Sequence, residues 1–168
     1  TENTAVGHKA GKFISDGQSN TFVGFEAGEG ITGAKLTGNN NTAVGANAGL
    51  LLQGTANSNT QGTAGDNTVV GALAGDAITT GTRTVALGFK AGSAITTGDS
   101  NVAIGWQALL TEDAHSNNVA VGASALQTQN AGAHAYNVAV GFEAGKVVTI
   151  GEQNTLVGAL AGDALNTS

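Results

Sequence analysis

Residues 40–49 read Asn-Asn-Thr-Ala-Val-Gly-Ala-Asn-Ala-Gly, and the same pattern returns along the whole chain. A glycine lies at the centre of each of its nine copies, namely Gly7, Gly24, Gly45, Gly71, Gly88, Gly105, Gly122, Gly141 and Gly158. Alanine follows three positions later in every copy, at Ala10, Ala27, Ala48, Ala74, Ala91, Ala108, Ala125, Ala144 and Ala161. The chain is therefore a repeat protein. We number its coils 1 to 9 by these central glycines.

The position numbers of successive central glycines differ by 17, 21, 26, 17, 17, 17, 19 and 17. The base period is thus 17, and the three longer spacings exceed it by 4, 9 and 2, which places insertions at 28–40, 50–66 and 127–136. We interpret residues 1–168 as one repeat domain, and we expect it to be a segment of a longer fibrous protein because the repeat is already under way at the first residues.

Each copy contains a short β-favouring stretch, such as 42–44 or 102–104, directly before its glycine. A second apolar residue often follows seven positions after the glycine, as at Ile14, Ile31, Leu52, Ile78, Ile95, Val148 and Leu165. Gly, Thr, Asn and Asp, which favour turns, lie between these positions. The pattern predicts an all-β fold, a parallel β-solenoid (β-roll or β-helix) of about nine 17-residue coils. We expect two short strands and two turns per coil, with coils about 4.8 Å apart.

Helical repeats are the alternative fold. Most copies hold two or three glycines, and each glycine inside a helix costs about 1 kcal/mol. The stranded solenoid is therefore favoured. Asparagine stands four positions before the central glycine in eight copies, with Thr84 as the exception. In stacked coils these asparagines would form an amide ladder, and a side chain larger than the repeated Gly or Ala would push the coils apart.

The composition suits a thin core. Gly accounts for 27 of 168 residues, aromatics for 4%, and Pro, Cys and Met are absent, so Ala, Val, Leu and Ile must fill the interior. The net charge is −6 and the six Lys and Arg residues are scattered, which argues against a nucleic-acid partner. Every apolar run is far shorter than the roughly 20 residues that a membrane-spanning helix needs, so we expect no membrane insertion.

The predicted strand is apolar on both faces. The residue before each central glycine is Val, Leu or Ile, and the residue before that is Ala in most copies. We expect one face to fill the coil and the other, an alanine-rich column, to be covered by neighbouring copies of the chain, since a continuous apolar stripe is seldom left in water. A homotrimer would provide this cover. The alternative is a monomeric solenoid with a harmless outward alanine column.

The unit at 101–108, Asn-Val-Ala-Ile-Gly-Trp-Gln-Ala, resembles the head repeats of trimeric autotransporter adhesins. The longer unit at 40–49, together with Thr-Thr-Gly at 79–81 and 96–98, is similar to repeat arrays of phage tail fibres and other virion fibres. The resemblance covers essentially the whole chain. It implies a structural or adhesive module of an extracellular or virion-surface fibre that spaces or presents host-binding surfaces. An adhesin head is the alternative that it implies, and the 17-residue period differs from that of the adhesin heads.

The residue types do not point to an enzyme, a cofactor or a metal. His8, His115 and His134 have no metal-like spacing, and we expect His115, close to Glu112 and Asp113, to lie in a solvated turn. Glu26 and Glu143 share the position two after the glycine but belong to distant coils, so they do not predict a glycosidase-like carboxylate pair.

Recognition has three candidate locations. The residue after the glycine is aromatic in four coils, at Phe25, Phe89, Trp106 and Phe142. These rings would lock an oligomer interface or stack on sugars of a cell surface. The three insertions are candidate binding loops. A threonine column, present at Thr4, Thr21, Thr42, Thr68 and Thr155 but interrupted by valines, leaves ice binding as a minor alternative.

Overall fold

The computed structural model describes residues 2–32, 36–53, 65–130 and 135–163. It contains nine three-residue strands, one per coil, each of which ends directly before a central glycine. Their bounds are β1 Thr4–Val6, β2 Thr21–Val23, β3 Thr42–Val44, β4 Thr68–Val70, β5 Val85–Leu87, β6 Val102–Ile104, β7 Val119–Val121, β8 Val138–Val140 and β9 Thr155–Val157. One parallel sheet contains all nine in chain order. No helix occurs in these ranges, and the predicted parallel β-solenoid is confirmed.

The repeat sets the register of the sheet. Equivalent residues of adjacent coils pair directly, so that Val85 lies beside Val102 and Ala86 beside Ala103. The two insertions that lie between β2 and β4 do not disturb this pairing, because Thr42 still pairs with Thr21 on one side and with Thr68 on the other. Extra residues are therefore accommodated outside the strand.

Strand side chains alternate between the two faces of the sheet. In β2 to β7 the middle residue is buried and the first and third are half-buried. The alanine-rich middle column, which includes Ala103 and Ala120, therefore faces the core. Our expectation that this column points outward is wrong. The outward residues are the larger ones directly before the glycines.

The core is a narrow stack of small and medium side chains. The alanines three after the glycine are fully buried from Ala27 to Ala144, and Phe22, Leu52, Ile78 and Ile95 fill the remaining space. Because each coil contributes only a few apolar groups, burial comes from stacking on both neighbours. Coils 1 and 9 have a neighbour on one side only in this chain, and their strands are correspondingly more exposed.

The central glycines of coils 1 to 8 are required by their backbone and by the neighbouring coil. Gly88 has φ of +129°, and a Cβ added to it would lie 2.6 Å from the carbonyl oxygen of Gly105. Gly105 has φ of +132°, and its Cβ would lie 2.5 Å from the carbonyl oxygen of Gly122. L-residues rarely adopt this conformation. In these eight coils a side chain at the central glycine would meet the backbone of the next coil, and the separation of the coils by a larger side chain stays a prediction.

The predicted asparagine ladder is present and buried. The backbone N–H of Asn41 donates to Oδ1 of Asn20 at 2.9 Å, and the Asn41 amide nitrogen donates to the same oxygen at 3.1 Å. Ladder side chains also donate to a carbonyl 14 residues further on, as from Asn137 to Gly151 at 2.7 Å. Each amide thus satisfies backbone groups where the chain enters the strand.

The second strand of each coil, which we expected from the sequence, is not formed in the described residues. Its apolar residue lies in a succession of turns, and one isolated bridge pairs Ile14 with Leu36. In coil 2 the buried partner is therefore Leu36, from within the insertion at 28–40, whereas Ile31 is half-buried. Leu165 lies outside the described residues.

Candidate functional site

The outward side of the sheet carries two columns of side chains without a charge. The first column comprises Thr4, Thr21, Thr42, Thr68, Val85, Val102, Val119, Val138 and Thr155, and the second comprises Val6, Val23, Val44, Val70, Leu87, Ile104, Val121, Val140 and Val157. We call these two columns the outer face. At the coil spacing of about 4.8 Å it runs for roughly 40 Å along the rod. Such a continuous uncharged stripe is typical of an interaction surface.

The aromatic residues expected to act in recognition project from the corner just beyond the outer face. Phe25, Phe89, Trp106 and Phe142 have between 43% and 55% of their surface exposed. The His8 ring stacks on Phe25 with ring centroids 5.5 Å apart. Alanine occupies the equivalent position in the other coils, at Ala46, Ala72, Ala123 and Ala159. This exposure leaves the rings available to a second copy of the chain or to a ligand.

The next column, two after the glycine, contains mainly polar residues. Its members are Lys9, Glu26, Asn47, Leu73, Lys90, Gln107, Ser124, Glu143 and Leu160, and all have φ between 53° and 60°. The N–H of Ala91 donates to the carbonyl of Gly88 at 3.3 Å across one of these turns, and a positive φ at the third turn residue is the geometry of a type II turn. The turn therefore places this column beside the aromatic column, with its side chains exposed or half-buried except for the buried Ser124.

The acidic members of this column are neutralised by lysines rather than brought together. Glu26 accepts a hydrogen bond from Lys9 at 2.6 Å, and this bond lowers the pKa of Glu26 and raises the pKa of Lys9. Glu143 accepts from Lys146 at 2.8 Å. The two acids thus make separate ion pairs in coils 2 and 8.

The expected solvated turn around His115 is instead partly an interior feature. Glu112 is fully buried, its carboxylate contacts the His115 ring and backbone N–H, and it lies 3.5 Å from the amide nitrogen of Asn118. Burial raises the pKa of Glu112. Within the described ranges, no three His, Cys, Asp or Glu side chains are grouped so as to hold a metal ion. His134 lies outside those ranges.

Two adjacent coils use a rearranged core that the sequence reasoning missed. In coils 6 and 7 the position four after the glycine is Leu109 and Leu126 in place of the glycine found elsewhere, and the position seven after it is Glu112 and Gln129 in place of an apolar residue. All four side chains are buried. The signal was present in the sequence as two paired exceptions to the repeat, but the burial of both members of each pair is seen only in the folded chain.

The insertions are only partly described. Asn39, in the insertion at 28–40, accepts a hydrogen bond from the Gln18 N–H at 2.8 Å, and Gln127, in the insertion at 127–136, donates to Gln107 at 2.8 Å. Residues 33–35, 54–64 and 131–134, which include most of the insertion at 50–66, lie outside the described part of the chain.

A search of the described residues for a helix long and apolar enough to cross a membrane finds none. Comparison of the chain with protein-family models, with curated proteins and with solved structures gives no match. The function must therefore be inferred from the geometry of the coils themselves.

Proposed function

We propose that this chain is a stiff structural and adhesive module of an extracellular fibre, most directly a virion fibre such as a phage tail fibre. The observation that supports it is the single nine-stranded parallel sheet, in register from β1 to β9. Stacked coils with a continuous hydrogen-bonded ladder make a rod whose length grows with the number of repeats. Its role is to space or present host-binding surfaces, at the cell or virion surface, without catalysis or cofactor.

The outer face supports side-by-side assembly of this rod. It carries uncharged side chains, mainly Thr and Val, along its length. In β3 to β7 these outward side chains are half-buried, so part of their surface remains accessible to a neighbouring chain. A rotationally symmetric homotrimer would bury the outer face of each copy against its neighbours. The proposed partner is thus the chain itself, with a host glycan or protein as the second kind of partner.

The head of a bacterial trimeric adhesin is the alternative within the same class, since it would use the same rod and the same outer face. Ice binding is the minor alternative from another class. It is favoured by one observation, that the stacked threonines of β1 to β4 point outward beside a valine column. Thermal hysteresis at millimolar protein tests it directly, and its absence would exclude ice binding.

Light scattering on the purified chain tests the assembly. We expect a molar mass three times the 16.3 kDa of one chain. Substituting Ile104→Lys and Val121→Lys on the outer face should lower the mass to that of one chain while circular dichroism retains the strand signal. Val102→Thr is the matched control, because Val102 is the first residue of β6 and threonine is the first strand residue in five other coils. A wild-type mass equal to that of a single chain at all concentrations would refute the trimer.

A further inference from the structure

Trp106 is the only tryptophan of the chain and one of its most exposed apolar side chains. About half of its surface, 52%, is accessible, although tryptophan is highly buried on average in folded proteins. Phe89, its counterpart one coil below, is 43% exposed and has the Lys90 ammonium 5.6 Å from its ring centroid. On the coil above, the smaller Ala123 occupies the same position.

A hydrogen-bonded pair of amides begins at the residue that follows Trp106 in the chain. The Gln127 amide nitrogen donates to the Gln107 side-chain oxygen at 2.8 Å, and this bond crosses from one coil to the next. It uses one donor of Gln127 and the acceptor of Gln107, so the Gln107 amide nitrogen and the Gln127 oxygen remain, within the described part of the chain, as a donor and an acceptor side by side. Both glutamines are half-buried, which restricts their motion.

From this juxtaposition we infer that Phe89, Trp106, Gln107 and Gln127 form a binding site for an extended chain of β-linked hexoses. Aromatic faces stack on the C–H faces of pyranose rings, and an adjacent donor and acceptor match a pair of neighbouring hydroxyl groups. The two rings belong to successive coils about 4.8 Å apart, which is close to the advance of one pyranose residue along an extended glycan. Adjacent sugars thus meet adjacent rings.

The polar groups favour a sugar over an apolar partner at this corner. Covering the glutamine pair with an apolar surface would leave its donor and acceptor buried without partners, which is unfavourable. The outer face, which has no such groups, is the surface suited to another copy of the chain. The Lys90 ammonium beside Phe89 disfavours a cationic ligand, and the net charge of −6 disfavours a polyanion.

The single tryptophan makes the test direct. Titration of the intact chain with cellohexaose and with the hexamer of β-linked N-acetylglucosamine should produce a saturable change in tryptophan emission with at least one of them. Phe89→Ala and Gln107→Ala should each weaken that binding about tenfold. Trp106→Ala should abolish the heat of binding in calorimetry. All three positions lie outside the core, and alanine already follows the glycine in four other coils.

Phe142→Ala is the matched control, since Phe142 is 55% exposed but lies beside the Glu143–Lys146 ion pair rather than an amide pair. It should leave affinity unchanged. No saturable change with either oligosaccharide, or an equal loss in Phe142→Ala, would overturn the site. The inference rests on the proposed function, because it names the class of glycan that the fibre module would bind. Light scattering on the same samples distinguishes failure of the glycan site from failure of the homotrimer, because the substitutions at Phe89, Trp106 and Gln107 leave the outer face unchanged.

Discussion

Coils 5 and 6 stack directly on one another, yet they depart from the repeat in different layers. Coil 5 keeps the usual core, with Gly92 and Ile95, but places Thr84 in the asparagine ladder. Coil 6 keeps the ladder residue Asn101 and rearranges the core with Leu109 and Glu112. Both coils pair through three residues of the same sheet in the same register. Strand pairing is therefore unaffected by either change. The two coils differ in how the ladder of coil 5 and the core of coil 6 accommodate the exchanged residues.

The core of coil 6 absorbs its change by exchanging volume. In coil 5 a Cβ added to Gly92 would lie 2.9 Å from Cδ1 of Ile95, so the isoleucine already fills the space above the glycine. In coil 6 the buried Leu109 replaces this glycine, and the buried Glu112 replaces the isoleucine and lies 3.5 Å from the amide nitrogen of the next ladder residue, Asn118. Coil 7 repeats the arrangement, with Gln129 accepting a hydrogen bond from Asn137 at 2.7 Å.

In the ladder of coil 5, no second substitution compensates for the replacement of asparagine by Thr84. Thr84 donates its backbone N–H to Asn67 at 2.9 Å, as an asparagine would, but its buried Oγ1 has no hydrogen-bond partner among the described residues. Threonine is too short to reproduce both side-chain bonds of asparagine. A close-packed core thus tolerates a paired substitution, whereas an amide ladder leaves an unsatisfied group when one member is replaced.

The largest predicted effect comes from moving the rearranged core, in its coil 7 form with leucine and glutamine, into coil 5. Ile95→Gln alone should destabilise the chain by roughly 3 kcal/mol, because it opens a cavity and buries an amide. Gly92→Leu alone should cost roughly 2–3 kcal/mol, from overpacking against Ile95 and from a left-handed leucine. The double variant should cost less than the sum by about 1–3 kcal/mol. Urea unfolding at fixed protein concentration measures all three.

An additive double variant would contradict the volume exchange. Lys9→Leu with Ser93→Gln, two substitutions at partly exposed positions in distant coils, is the control pair, and its effects should be additive within about 0.5 kcal/mol.

The buried acid of coil 6 should make that coil pH-sensitive. Because burial raises the pKa of Glu112 above its ordinary value of 4.5, the folded state favours the protonated form. The contribution of protonated Glu112 to the free energy of unfolding is therefore complete below about pH 4.5. It is lost as pH rises through the higher pKa that Glu112 has in the folded state. Glu112→Gln, which copies Gln129 of coil 7, should be more stable than the wild type at pH 8, by roughly 1–2 kcal/mol, and the gain should shrink towards pH 4.

Melting temperatures from pH 4 to pH 8 provide this measurement. Gln129→Glu is the reciprocal control and should become less stable than the wild type as pH rises. A Glu112→Gln gain that is the same at both pH values would show that ionisation of the buried acid does not limit stability.

The sequence was sufficient for the parts of the fold that repeat. Nine glycines in register predicted the parallel solenoid, and the asparagine spacing predicted the ladder, because stacking forces identical residues into identical environments. Inward and outward faces were not predictable, since both alanine and valine are apolar and a strand has no intrinsic inside. The choice between Ile31 and Leu36 was not predictable for a related reason. The insertion of coil 2 contains two apolar residues for one core position, and Leu36 is the one that is buried.

The candidate site was only partly predictable. The exposure of Trp106 and Phe89 follows from their position after the glycine, and the sequence named both as candidates for an oligomer interface or for ligand binding. Their pairing with Gln107 and Gln127 did not follow, because Gln127 is 20 residues away from Gln107 and belongs to another coil. The burial of Glu112 was missed because it accompanies the exchange of glycine for Leu109 three positions earlier, whereas a carboxylate considered alone predicts an exposed position.

The smallest predicted effect restores the ladder of coil 5. In Thr84→Asn the new amide nitrogen lies in register to donate to the carbonyl of Gly98, 14 residues further on, as Asn67 donates to Gly81 at 2.9 Å. The new Oδ1 would also offer the Asn101 N–H the acceptor that the ladder supplies elsewhere, as Asn101 does for Asn118 at 3.0 Å. The variant should gain about 1 kcal/mol, the net value of a buried hydrogen bond, seen as a higher urea midpoint. Thr97→Asn, at an exposed position in the same coil, should leave the midpoint unchanged. Equal midpoints for both variants would mean that the amide missing at Thr84 does not limit the stability of the ladder, and coils 5 and 6 would then differ in stability only through their cores.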